Sequence, residues 1–136
     1  MAITQMQPTD ARKMVPCFDE PGFKAIWNVT VIHPQGTSAL SNGIELKTTK
    51  YSDNPDWYCT TFEETLPMSS YLLAIAVTDF FFVEGRTKGG IRFRIWSRKE
   101  AFDQTRYALE LGIKAIEFFE NYYGIAFPLE KQGFCY

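Results

Sequence analysis

Ile91-Arg92-Phe93-Arg94-Ile95-Trp96-Ser97-Arg98-Lys99-Glu100 is the stretch in which this chain changes its grammar. Up to Trp96 the side chains alternate, with Ile91, Phe93 and Ile95 on one face and Arg92, Arg94 and Trp96 on the other. That is the period of a half-buried strand. Phe80 to Glu84 lies across the loop Gly85-Arg86-Thr87-Lys88-Gly89-Gly90, so the two runs predict a hairpin. From Ser97 the period becomes helical. Ser97 and Glu100 have the spacing of a capping box, and Phe102, Leu109, Ile113, Ile116, Phe119 and Tyr123 follow as an apolar stripe. Gly124 is placed to end the helix in a left-handed cap, and Pro128 blocks its continuation.

Upstream of the hairpin the signals are those of strands. Ile3 to Gln7 predicts a short strand, and Pro8-Thr9-Asp10 a helical turn through Met14 capped by Thr9 or Asp10. Val15 to Pro21 reads as irregular. Ala25 to Ile32 is rich in β-formers, with Trp27, Val29 and Val31 on one face, and His33-Pro34-Gln35-Gly36 reads as a turn. Ala39 to Ser41, Ile44 to Thr49 and Trp57 to Thr65 read as further strands. Leu72 to Val77 is continuously apolar, as a strand covered on both faces would be. The fold expected is an all-β, mainly antiparallel sandwich over residues 1–96, followed by one long amphipathic helix and a tail over 97–136.

The chain has 136 residues, 46% of them hydrophobic and 16% aromatic, enough for a sizeable core. Lys plus Arg number 14 against 16 Asp plus Glu, so the net charge of −2 argues against a nucleic-acid partner. The apolar run Tyr71 to Val77 is far below the about 20 residues of a membrane span. No basic start or apolar leader opens the sequence, and the expectation for the chain as written is a cytoplasmic location. Cys17, Cys59 and Cys135 fit no disulfide framework and read as reduced thiols.

Several separated blocks carry a family resemblance. Thr4-Gln5-Met6-Gln7 with Ala11-Arg12 and Pro16-Cys17-Phe18-Asp19-Glu20-Pro21 resembles a segment of the zinc aminopeptidases of the aminopeptidase N family. Asn28-Val29-Thr30-Val31-Ile32-His33-Pro34, Ala39-Leu40-Ser41-Asn42 and Ser70-Tyr71-Leu72-Leu73-Ala74 follow in the family's order. Tyr107-Ala108-Leu109 through Gly124 resembles the first helix of its catalytic domain, and Phe127-Pro128-Leu129-Glu130-Lys131 comes next. The resemblance implies an incomplete N-terminal β domain joined to the beginning of the catalytic domain of a peptidase that removes N-terminal residues from peptides. It also implies an extracellular or membrane-anchored parent enzyme, in which zinc activates water with a glutamate as base.

Neither the zinc-binding H-E-x-x-H pattern nor the G-A-M-E-N loop occurs in this sequence. A catalytic zinc needs about three protein ligands. His33 is the one histidine, and the cysteines have no C-x-x-C spacing, so no catalytic residue, metal ligand or cofactor is expected in this chain. The resemblance assigns substrate contact to Gln5 and Gln7 in an intact enzyme, where an amide carbonyl accepts from the peptide's free α-amine without adding charge. Asp19 and Glu20, being adjacent on an irregular segment, read as structural rather than as an acid/base pair. His33 reads as a surface histidine. Arg92, Arg94, Arg98 and Lys99 read as a solvated face whose arginine stems cover aromatic surface. Asn28-Val29-Thr30 is an N-glycosylation sequon. Two functions follow: a truncated, non-catalytic relative that keeps part of the recognition wall for a peptide N-terminus, or an interaction module. Because the family's upstream strands are missing, an open sheet edge and an uncovered helix are expected to drive homo-oligomerisation.

Overall fold

The computed structural model describes residues 1–135. Among the described residues nine strands form three three-stranded sheets, with one long helix, so the expected mainly β class with an appended helix is the observed one. Packing divides the chain into two compact units between Asp79 and Phe80.

The first unit is a sandwich of two sheets. One has the order β1 (Ala2–Ile3), β6 (Ile75–Thr78), β3 (Ser38–Ser41); the other β2 (Thr30–Pro34), β5 (Trp57–Phe62), β4 (Glu45–Lys50). All their pairings are antiparallel, and β4 carries a register shift between Glu45 and Lys47. Inward side chains of both sheets make the core: Val29, Ala39, Phe62 and Leu73 are buried, with Trp27, Val31, Met68 and Ile75 packed on them. Trp27, Val29 and Val31 therefore share the core-facing side, as their alternation predicts.

Four strands are shorter than their sequence suggests, β5 among them, which ends at Phe62 rather than Thr65. Ladder pairing of β2 starts at Thr30, although Ala25 already bridges Met68 and the Val29 carbonyl accepts from Phe62 at 3.0 Å. Leu72 belongs to a 3₁₀ turn, Ser70–Leu72, and is exposed. The reason lies in Asn42, whose side chain donates to the Leu72 carbonyl at 2.9 Å and accepts from the Ala74 amide at 2.8 Å. A side chain thus takes the place of a ladder partner there, and the strand begins at Ile75. Pairing of β1 ends at Ile3.

The second unit starts at Phe80. The hairpin β7 (Phe81–Arg86) and β8 (Arg92–Ser97) forms in the register Phe81↔Ser97 to Arg86↔Arg92. Ile91, Phe93 and Ile95 are buried as their alternation requires, and Trp96 is buried too. Phe82 packs on Trp96 with ring centres 4.6 Å apart, and the Arg94 guanidinium lies 4.4 Å over Phe82 while its Nε donates to Glu84 at 2.7 Å. Arg94 covers aromatic surface in the manner expected of the basic face.

The helix begins later than its capping box suggests. Ser97 remains in β8 opposite Phe81, fully buried with no hydrogen-bond partner for its hydroxyl, and so cannot cap. A 3₁₀ segment, Lys99–Gln104, intervenes before α1 (Thr105–Tyr123). Gly124 takes the left-handed conformation, φ 66°, and ends α1 as anticipated. The tail contains an unanticipated strand, β9 (Lys131–Cys135), which pairs in parallel with β8 from Arg92↔Lys131 to Trp96↔Cys135. β8, α1 and β9 therefore form a βαβ unit.

Candidate functional site

The segment carrying Gln5 and Gln7 is an arch clamped at both ends. On its first side, the Thr4 amide donates to the Ile75 carbonyl at 3.0 Å, and the Thr4 hydroxyl accepts from the Ile75 amide at 2.9 Å. The Thr4 side chain replaces a backbone rung, which is why the strand expected over Ile3 to Gln7 stops early. Met6 then turns into the interior, 4% exposed, while Gln5 and Gln7 on either side of it face solvent. The Gln7 backbone N–H donates to Gln5 Oε1 at 3.4 Å, a long contact. A 3₁₀ turn, Ala11–Lys13, follows, with no side-chain cap from Asp10.

The second clamp is charged. Arg12 donates to Asp19 Oδ2 from its backbone amide at 3.1 Å and from Nε at 3.3 Å, and from Nη2 to the Asp19 carbonyl at 2.9 Å. The Ser70 hydroxyl donates to the other oxygen, Oδ1, and the neighbouring Ser69 hydroxyl to the Pro21 carbonyl at 2.7 Å. Asp19 is 4% exposed, and its carboxylate is satisfied on both oxygens, as a buried charge must be. The Ser70 hydrogen bond, and then those from Arg12, hold its carboxyl below the usual aspartate value. Glu20 is exposed, so the adjacent carboxylates do point apart. Ser70 lies 51 residues from Asp19, and no local pattern announces that partnership.

His33 is not a surface residue. It is 3% exposed, with Nδ1 3.0 Å from Thr37 Oγ1 and Nε2 2.9 Å from Thr60 Oγ1. The Thr37 hydroxyl donates to the Pro34 carbonyl at 2.6 Å, so it must accept from His33 Nδ1–H. Nε2 is then the acceptor from Thr60, whose oxygen accepts in turn from Thr48 at 2.9 Å. Burial lowers the His33 pKa, and the neutral ring completes this chain of hydroxyls. Position beside Pro34 in an apparent turn suggested exposure; Thr60, 27 residues away on β5, provides the burial.

Asn28 lies before β2, exposed, with its Nδ2 donating to Glu64 at 3.3 Å. It is separate from the Gln5–Gln7 arch in the chain and in its hydrogen bonds. Among the described residues no three His, Cys, Asp or Glu side chains gather to hold a metal ion. No helix among them is long and apolar enough to cross a membrane. Cys17, Cys59 and Cys135 are free thiols.

Residues 1–72 match the family model of the Peptidase M1 N-terminal domain. The chain is 56% identical over 131 residues to an Aminopeptidase N of Haemonchus contortus, covering 96% of this chain and 13% of that protein. It is 44% identical over 134 residues to the Aminopeptidase N of Rattus norvegicus and 42% over 135 residues to that of Homo sapiens, covering 97% of this chain and 14% of each relative. The chain therefore spans a small fraction of the length of the curated relatives it matches.

Proposed function

Because the chain belongs to the Peptidase M1 N-terminal domain family, we propose that it supplies part of the recognition wall for a peptide's free N-terminus in an aminopeptidase, and none of the catalytic groups. The observation that carries this reading is the arch of Gln5 and Gln7. Two glutamines are exposed on a segment anchored by Thr4 on one side and Asp19 on the other. A ligand amine meeting such a pair finds carbonyl acceptors whose backbone is already fixed, which lowers the ordering cost of binding. The side chains described here do not fit a zinc site; in such an enzyme zinc would activate water from ligands supplied elsewhere.

The test is a chimera in which this chain replaces the matching segment of the Haemonchus contortus relative, with and without Gln5→Ala. A lost charge-assisted hydrogen bond of about 1.5–3 kcal/mol predicts a fall in kcat/KM of roughly ten- to over a hundredfold for peptides with a free amine. Binding of an N-acetylated analogue should hardly change. Equal losses for both ligands would mean that Gln5 supports the sheet instead.

A second reading, an interaction module, is favoured by the helix surface. Phe118, Phe119, Tyr122 and Tyr123 of α1 are each at least half exposed and stack on one another, with Phe118 and Tyr122 5.9 Å apart. Such a patch favours association with a second copy of the chain or with another part of a larger protein.

A further inference from the structure

We infer that Ser70 is a positioning residue for amine recognition, fixing through Asp19 the segment that carries Gln5 and Gln7. The inference rests on the reading of those two glutamines as acceptors for a peptide's free α-amine. Ser70 lies too deep to touch a ligand itself. It is 2% exposed, and its hydroxyl donates to Oδ1 of Asp19, which is buried as well.

The path from Ser70 to the glutamines is continuous. The other Asp19 oxygen accepts from the Arg12 backbone N–H at 3.1 Å. Arg12 belongs to the turn Ala11–Lys13, in which Ala11 is wholly buried. Just ahead of that turn, the Asp10 backbone N–H donates to the Met6 carbonyl at 2.9 Å. Met6 is buried between the exposed Gln5 and Gln7. Every link in this path holds backbone, so a shift at Asp19 is carried to the residue that the two glutamines flank. Groups that meet a ligand are held in place by such supporting hydrogen bonds.

The path also closes into a ring. Ser70 opens the 3₁₀ turn Ser70–Leu72 that leads into β6, and Ile75, the first residue of β6, holds Thr4 on the other side of Gln5. Between those two points Asn42 grips the Leu72 carbonyl and the Ala74 amide. Both ends of the arch are therefore fastened to one braced segment, Ser70 to Ile75. Removing the Ser70 hydroxyl opens the ring at a single bond, while Arg12 stays on Asp19 and Thr4 on Ile75. An arch freed at one end has to be ordered when the amine binds. That cost falls on binding and leaves the chemical step alone.

The test uses the chimera with the Haemonchus contortus relative, unchanged and as Ser70→Ala, Gln5→Ala and the double variant. Ser70→Ala should raise KM for peptides with a free amine by roughly two- to tenfold, the cost of ordering one side chain on binding, with kcat unchanged. In the Gln5→Ala background the same change should have no further effect. Inhibition by an N-acetylated analogue should be equal with and without the Ser70 hydroxyl. Asp19→Asn, which keeps the shape and removes the charge, should give the same Gln5-dependent rise, and it serves as the second variant should Ser70→Ala fail to fold. A loss of equal size in both backgrounds, or a matching loss for the acetylated analogue, would overturn the positioning role, because a generally loosened domain acts on every ligand. An unchanged KM would overturn it too and leave the recognition reading standing. Gln5→Ala without effect would overturn the recognition reading, and the positioning role with it.

Discussion

Replacing Gly112 by alanine sets two effects of opposite sign against each other. In an exposed helix interior the change stabilises by about 0.8–1 kcal/mol, because alanine loses less backbone freedom than glycine. Here α1 lies on the hairpin face. A Cβ at Gly112 would stand 2.6 Å from Cε1 and 3.1 Å from Cε2 of Phe93, with Cζ nearer still. Phe93 is 1% exposed and packs against Phe134 at 5.9 Å, so its ring has little room to yield. The neighbouring approach is equally close, since a Cβ on Gly85 would meet Ile113 Cδ1 at 2.6 Å. Helix and sheet would have to separate, an overpacking cost of about 1–3 kcal/mol. The net expectation is destabilisation by up to about 2 kcal/mol. Urea unfolding followed at 222 nm, which reports α1, should show a midpoint lowered by roughly 0.3–1 M for each 1 kcal/mol lost, given m-values of about 1–3 kcal/mol/M. In a Phe93→Leu background the same substitution should cost less, because a smaller, more flexible side chain replaces the ring. A higher midpoint for Gly112→Ala in the otherwise unchanged chain would refute the close helix–sheet contact.

Two further outcomes are expected. The folded His33 pKa is depressed below that of the unfolded chain, so on acidification the unfolded state takes the proton first. Its stabilising contribution is then complete above about pH 6.5 and is lost as pH falls from there through the folded pKa. His33→Gln should flatten that limb, and NMR of this single histidine should show a midpoint below the ordinary value; a midpoint at or above it would contradict the buried hydroxyl network. If the α1 aromatics mediate self-association, Phe118→Ser with Tyr122→Ser should weaken it at least roughly tenfold in sedimentation, since burying each ring is worth about 1.5–3 kcal/mol. A parent chain that stays monomeric across the micromolar range would refute that role.

Where local chemistry dominates, the chain could be read directly. The alternation of Ile91, Phe93 and Ile95 marks β8, and Gly124 with Pro128 marks the end of α1, because both signals act within a turn or a strand. Distant partners obscured the rest. Ser97 has the right spacing to cap a helix, but pairing with Phe81 keeps it in the sheet. Lys131-Gln132-Gly133-Phe134-Cys135 has weak strand propensity of its own and depends on parallel pairing with β8 across the length of the helix. At the arch, the sequence supplies Gln5 and Gln7, but their exposure follows from Thr4 bonding Ile75 and Ser70 bonding Asp19. His33 shows the same limit, with its burial determined by Thr37 and Thr60.

The parallel placement of β9 also decides where the chain enters and leaves its sheet. Phe81 opens β7 opposite Ser97, and Cys135 closes β9 opposite Trp96, so entry and exit lie at the same end with β8 between them. Two strand spacings, about 10 Å, separate them. A short synthetic bridge can span that gap, and the hairpin tip at Gly89-Gly90 offers an exposed place to open the backbone instead. The β7–β9 module has the geometry of a cassette suited to circular permutation, with the start of β7 and the end of β9 on one side.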